Sequence, residues 1–144
     1  MVNKEVINND NQKKGSVMAY SLDKLQGVKG IDYDKYDGVE SVIETVEIVN
    51  YGVTDFSDGE ESIRLVVSTK NVSKDEENEV RGREFISLFY KDKVLCYSES
   101  PKSKAQKMLT YFKVANFDAL VGKKARILKK ISETGKERLG IAYG

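Results

Sequence analysis

Alternation of apolar and polar side chains predicts most of the regular structure in this chain. Strand-like alternation occurs in five segments, Val42–Tyr51, Ser62–Thr69, Arg83–Tyr90, Lys124–Ile131 and Glu137–Tyr143. The first segment is rich in β-branched residues, which favour strands. A short strand at Val94–Tyr97 follows a turn at Lys91–Lys93 and extends the third segment as a hairpin. The pattern therefore predicts a chain that is mainly β.

One main helix is predicted between the third and fourth of these segments. Ser100 and Pro101 form its expected start, because serine caps helices and proline suits the first helical position. Apolar side chains then recur with helical spacing, at Ala105, Met108, Leu109 and Phe112. Asn116 can cap a second short turn over Phe117–Val121, which Gly122 ends. The apolar stripe predicts that the helix packs on the core of the sheet.

The order of these elements suggests a specific architecture. Three strands, one helix and two further strands indicate an OB-type five-stranded Greek-key barrel with the helix between strands 3 and 4. Another small α+β sandwich is the alternative. The predicted organisation is a disordered arm at 1–15, an extension of uncertain structure at 16–40 and the barrel domain at 41–144. Within the extension, alternating Asp and Tyr at Asp32–Asp37 predict a loop or an extended segment.

Composition narrows the class of protein. The 144 residues, 40% hydrophobic and 33% charged, suit one globular domain with a core. No apolar run is long enough for a membrane helix, and the N-terminus lacks the apolar core of a signal peptide, which predicts a cytoplasmic protein. Histidine is absent and Cys96 is the single cysteine. This excludes an internal disulfide, the usual Cys/His zinc sites and histidine-dependent nucleophilic catalysis. We expect no enzyme activity, no cofactor and no metal.

Charge is distributed unevenly, although the net charge is only +1. Residues 41–80 carry three basic and ten acidic side chains, whereas residues 81–144 carry fifteen basic and six acidic ones. The basic part fits either a surface for a polyanion or a lysine-rich solvated face. Charge alone leaves both interpretations open.

The segment after the third strand resembles a known family. Ser100, Leu109 and Phe112 are followed by FDALVGKKARI at 117–127, a turn at 133–136 and a strand at 138–141. This succession of helix, short turn and strand resembles OB-fold proteins of phage and archaeal type that bind single-stranded DNA. The resemblance covers roughly residues 40–144. It implies a non-catalytic DNA-binding protein of viral or cellular DNA replication.

Candidate binding residues follow from this resemblance. Single strands are bound by rings that stack on bases and by cations that neutralise phosphates, and OB barrels place both on the face of strands 2 and 3 and on nearby loops. Mapped onto this chain, the expected set is Arg64, Lys70, Arg81, Arg83, Phe85, Phe89, Lys130, Lys136 and Arg138. Phe85 and Phe89 stack on bases if they face outward and fill the core if they face inward. Weaker aromatic candidates are Tyr51, Phe56, Tyr90 and Tyr143.

The sequence is therefore compatible with two functions of different class. The first is binding of single-stranded DNA, and the sequence does not distinguish DNA from RNA. No membrane is expected as a partner, whereas a second copy of the chain or a replication protein is. The alternative is a protein–protein interaction module, such as a viral accessory or inhibitor protein, whose acidic 41–80 region faces a basic partner. Salt dependence of oligonucleotide binding separates the two.

Overall fold

The structure, a computed structural model, describes residues 20–27, 30–55, 57–74 and 77–144. The chain divides into two units, Met1–Ile31 and Asp32–Gly144. In the first unit the described residues include one 3-10 turn, Leu22–Lys24, which is exposed. The predicted arm at 1–15 lies outside the described residues, and the boundary expected between 40 and 41 stays a prediction.

The second unit contains six strands and two α-helices among its described residues. In chain order they are α1 (Tyr33–Tyr36), β1 (Glu40–Val53), β2 (Glu61–Thr69), β3 (Arg83–Lys91), β4 (Val94–Cys96), α2 (Lys104–Phe112), a 3-10 turn (Phe117–Leu120), β5 (Lys124–Ile131) and β6 (Glu137–Ile141). A mainly β chain with one main helix is therefore confirmed.

The strands form one antiparallel sheet in the order β4-β3-β2-β1-β5-β6. The OB-type five-stranded Greek-key barrel was predicted, but the strands do not form a closed five-stranded barrel: the sheet has six strands and is open. The second strand from one edge, β3, contacts the opposite edge strand, β6, through a side chain: the carboxylate of Glu84, not a backbone carbonyl, accepts the N–H of Ile141 at 2.8 Å. A Cβ at Gly82 would lie 2.7 Å from the carbonyl oxygen of Gly140, so the close approach of these strands requires glycine.

The main core lies between the inward face of the sheet and α2. Its buried residues are Ile43, Leu65, Val67, Ile86, Ala105, Met108, Phe112, Leu120, Ala125 and Ile141. All four residues of the predicted helical stripe are buried, as expected. The helix begins later than predicted, because Ser103 rather than Ser100 caps it: the hydroxyl of Ser103 accepts the N–H of Gln106 at 3.1 Å.

A helical turn replaces the loop or extended segment predicted at Asp32–Asp37. That prediction is wrong because long-range contacts decide the local conformation. Tyr33 and Tyr36, one turn apart in α1, pack on a small core cluster of Val80, Ile127 and Leu139. The neighbouring carboxylates bind β5: Lys129 donates from its side chain to Asp34 at 2.6 Å and from its backbone to Asp37 at 2.8 Å.

Candidate nucleic-acid interface

The side of β1–β3 that faces away from the core, here called the outer face, carries exposed rings and cations. Buried Leu65 and Ile86 mark the inward positions of β2 and β3, so the residues beside them in sequence point outward. Outward positions on β2 and β3 are Arg64, Val66, Ser68, Arg83, Phe85, Ser87 and Phe89. Four of the nine predicted binding residues therefore share this face.

Three aromatic rings lie on the outer face. Phe89 is 47% exposed and Phe85 is half-buried, so neither belongs to the buried core. Tyr51 on β1, predicted only as a weaker candidate, is exposed to the same extent as Phe89. The guanidinium carbon of Arg64 lies 5.6 Å from the centre of the Tyr51 ring. This cation–π contact joins Arg64, a predicted phosphate contact, to Tyr51, which was predicted only as a weaker stacking candidate.

A groove of about 520 Å³ lies on the outer face. Its lining combines rings, cations and carboxylates: Glu44, Thr45, Glu47, Val49, Tyr51, Val66, Ser68, Arg81, Arg83 and Phe85. Glu44 forms an ion pair with Arg81. Glu47 is exposed and opposes the approach of an anion at this end of the groove. Anion binding is therefore expected to centre on β2 and β3 rather than on β1.

Four predicted cations remain available for phosphate contacts. Arg64, Lys70, Arg83 and Lys136 are exposed, and none forms an ion pair with another described residue. Arg64 and Arg83 lie on the outer face itself, whereas Lys70 follows β2 and Lys136 lies in the turn before β6. Exposed cations without a partner are the ones that can release counterions when they bind phosphate.

Arg81, also predicted as a phosphate contact, is bound within the protein instead. Its guanidinium pairs with Glu79 at 2.9 Å and with Glu44, and it donates to the carbonyl oxygen of Thr69 at 3.0 Å. Hydrogen bonds to Glu79 and Glu44 raise the pKa of Arg81. The side chain therefore connects the segment before β3 to β1 and β2, and its charge is already compensated.

Lys130 and Arg138, the other two predicted contacts, converge on Glu84 together with Lys104. Glu84 is 0% exposed. Its Oε1 accepts from Lys104 at 2.7 Å and from Arg138 at 3.0 Å, and its Oε2 accepts from Lys130 at 2.8 Å and from the N–H of Ile141 at 2.8 Å. All the strong acceptor positions of the carboxylate are thus occupied. These contacts join β3 to α2, β5 and β6, and we call Glu84 and the three cations the seam cluster.

The seam cluster keeps Glu84 ionised although it is buried. Burial raises the pKa of Glu84, but hydrogen bonds from Lys104, Lys130 and the Ile141 N–H outweigh it and lower the pKa to about 2. Burial has the opposite effect on a lysine, because it disfavours the charged form, and it lowers the pKa of Lys130. Sequence reasoning missed Glu84, although one signal was present: it occupies an inward position, in phase with the apolar Ile86.

The lowered pKa of Glu84 makes stability depend on pH. Because the pKa is about 2 in the folded chain against an ordinary value of 4.5, the stabilisation is complete above about pH 5 and is lost as pH falls towards 2. We expect the free energy of unfolding to fall by on the order of 3 kcal/mol across this range. Urea unfolding at constant ionic strength measures it. A stability that stays level from pH 5 to 2 would contradict the prediction.

The described residues offer neither a candidate membrane span nor a candidate metal site. None of their helices combines the length and apolarity needed to cross a bilayer. They also contain no group of three or more His, Cys, Asp or Glu side chains placed to hold a metal ion. Comparison of the chain with protein-family models, curated proteins and solved structures gives no match.

Proposed function

We propose that this chain is a non-catalytic protein that binds single-stranded DNA on its outer face. Bases stack on Phe85, Phe89 and Tyr51, while Arg64 and Arg83 neutralise phosphates. The observation that supports this most directly is that exposed Phe89 and Tyr51 and half-buried Phe85 share one sheet face with Arg64 and Arg83. Neither arginine forms an ion pair with another described residue. Non-specific binders of single strands combine the same two elements.

Spacing along β3 supports the stacking role. Phe85 and Phe89 are four residues apart on one face, which corresponds to about 13 Å at the rise of a β-strand. This separation is too large for one base to contact both rings, so each ring receives a different nucleotide. Arg83 lies two positions before Phe85 on the same face. A phosphate beside the base on Phe85 is therefore within reach of a cation.

The proposal extends to the finer fold. The order β3-β2-β1-β5-β6, with β3 and β6 joined through Glu84, supports the proposal of a partly open OB-type arrangement to which β4 adds a sixth strand. In such folds the face of strands 2 and 3 binds oligonucleotides. That is the face on which Phe85 and Phe89 lie here.

Titration with fluorescent oligo-dT at several salt concentrations tests the proposed function. Arg64, Lys70, Arg83 and Lys136 are exposed and form no ion pair with a described residue. If each releases about 0.7 counterion per phosphate contact on a single strand, the slope of log Kobs against log salt is about −3. A duplex of equal length should bind more weakly, because its bases are not free to stack on the rings. Oligo-U in the same assay measures the preference between DNA and RNA.

Two outcomes would contradict the proposal. One is failure of oligo-dT to bind at low salt, which would leave the acidic 41–80 region as the better basis for function. The other is equal affinity for the single strand and the duplex, which would show that charge acts without stacking.

A further inference from the structure

The seam cluster carries more positive charge than its buried carboxylate can balance. Lys104, Lys130 and Arg138 all contact Glu84, and none of the three pairs with a second carboxylate among the described residues. Glu84 supplies one negative charge, so two positive charges remain in excess. One counter-charge suffices for a buried carboxylate, and the additional cations repel each other. An anion placed against them would remove that repulsion.

The three cations also retain hydrogen-bond donors. In contacts with described residues, each lysine uses two of its three N–H groups. Lys104 donates to Glu84 and to the carbonyl oxygen of Phe85, and Lys130 donates to Glu84 and to the carbonyl oxygen of Ile141. The guanidinium of Arg138 has five N–H groups, of which only some are engaged. The side chains are 25–38% exposed, so solvent reaches them.

An open groove adjoins the cluster at Tyr143. The Nζ of Lys130 lies 4.1 Å from the centre of the Tyr143 ring, and that of Lys104 lies 5.9 Å from it. Tyr143 also lines a groove of about 910 Å³, whose charged lining residues are Lys107 and Glu99. A group held by the cations therefore has space beside it for the rest of a larger ligand.

We infer that Lys104, Lys130 and Arg138 form a binding site for a phosphate group. The three cations come from three elements, α2, β5 and β6, and meet at Glu84. A tetrahedral phosphate presents several acceptors to such a set of donors. The site is distinct from the outer face and does not depend on the proposed stacking of bases. Its ligand is a free phosphate compound or the backbone of a bound oligonucleotide, which share this chemistry.

Calorimetric titration of the full chain with inorganic pyrophosphate, at an ionic strength held constant with chloride, tests the site. We expect saturable binding, about tenfold weaker in Lys104→Gln, since a charge-assisted hydrogen bond is lost. Lys102→Gln is the matched control, because Lys102 is exposed and close in sequence but makes no side-chain contact with Glu84. Its pyrophosphate affinity should equal that of the wild type.

If Lys104→Gln fails to fold, NMR spectra of the wild-type chain with and without pyrophosphate test the site instead. Pyrophosphate should shift the side-chain resonances of Arg138 and the ring protons of Tyr143. Unchanged resonances, or equal effects of pyrophosphate and chloride, would show that the cations serve only to hold Glu84 and would overturn the inference. If oligo-dT displaces pyrophosphate, the ligand of the site is the DNA backbone. If pyrophosphate stays bound when oligo-dT is added, the ligand is a free phosphate compound. Phe85→Ala should leave pyrophosphate binding intact, which separates this site from the outer face.

Discussion

Replacement of Glu84 by glutamine is expected to lower the free energy of unfolding by about 3–5 kcal/mol. Glutamine preserves the shape of the side chain but removes the negative charge on which Lys104, Lys130 and Arg138 converge. Three cations would then face one another and a buried neutral amide without a counter-charge. A small domain has a net stability of only about 5–15 kcal/mol, so this loss is a large part of it.

Urea unfolding followed by circular dichroism measures the effect, with Glu137→Gln as the control. Glu137 also pairs with a lysine, Lys129, but at 3.8 Å and with 45% of its side chain exposed. Its replacement should cost less than about 1 kcal/mol, because exposed ion pairs contribute little. Equal losses in the two variants would show that the seam cluster does not hold β3 to β6.

The strands and the main helix could be predicted because their signals are local. Alternation in β3 separates inward Ile86 from outward Phe85 and Phe89, and the structure has this arrangement. The buried stripe of α2 follows from helical spacing in the same way. These patterns depend only on the periods of strands and helices, which a single sequence displays.

Sheet closure and charge pairing could not be predicted, because both depend on contacts distant in sequence. The same order of elements is compatible with a closed barrel and with the open sheet, and the difference lies where β3 meets β6. Arg138 was expected to contact phosphate, yet its partner Glu84 lies 54 residues away. A count of charges by segment shows an excess of cations but not which of them are already paired.

The double substitution of Phe85 and Phe89 by alanine is expected to weaken binding of oligo-dT by about 2–6 kcal/mol, at least about 30-fold in Kd. Each ring contributes a stacking surface that alanine lacks. Because both side chains lie on the outer face rather than in the core, the unfolding free energy should change far less than the binding free energy. Fluorescence anisotropy with labelled oligo-dT and urea unfolding measure the two quantities on the same samples.

Tyr90→Ala is the matched control for this experiment. Tyr90 follows Phe89 directly on β3 and is 63% exposed, but strand alternation directs it to the opposite side of the sheet. A loss of affinity in the double variant alone assigns binding to the outer face, since all three residues are aromatic and accessible. An equal loss in Tyr90→Ala would mean that the DNA reaches both sides of β3. Unchanged affinity in the double variant would remove the rings from the interface and leave only the cations to account for binding.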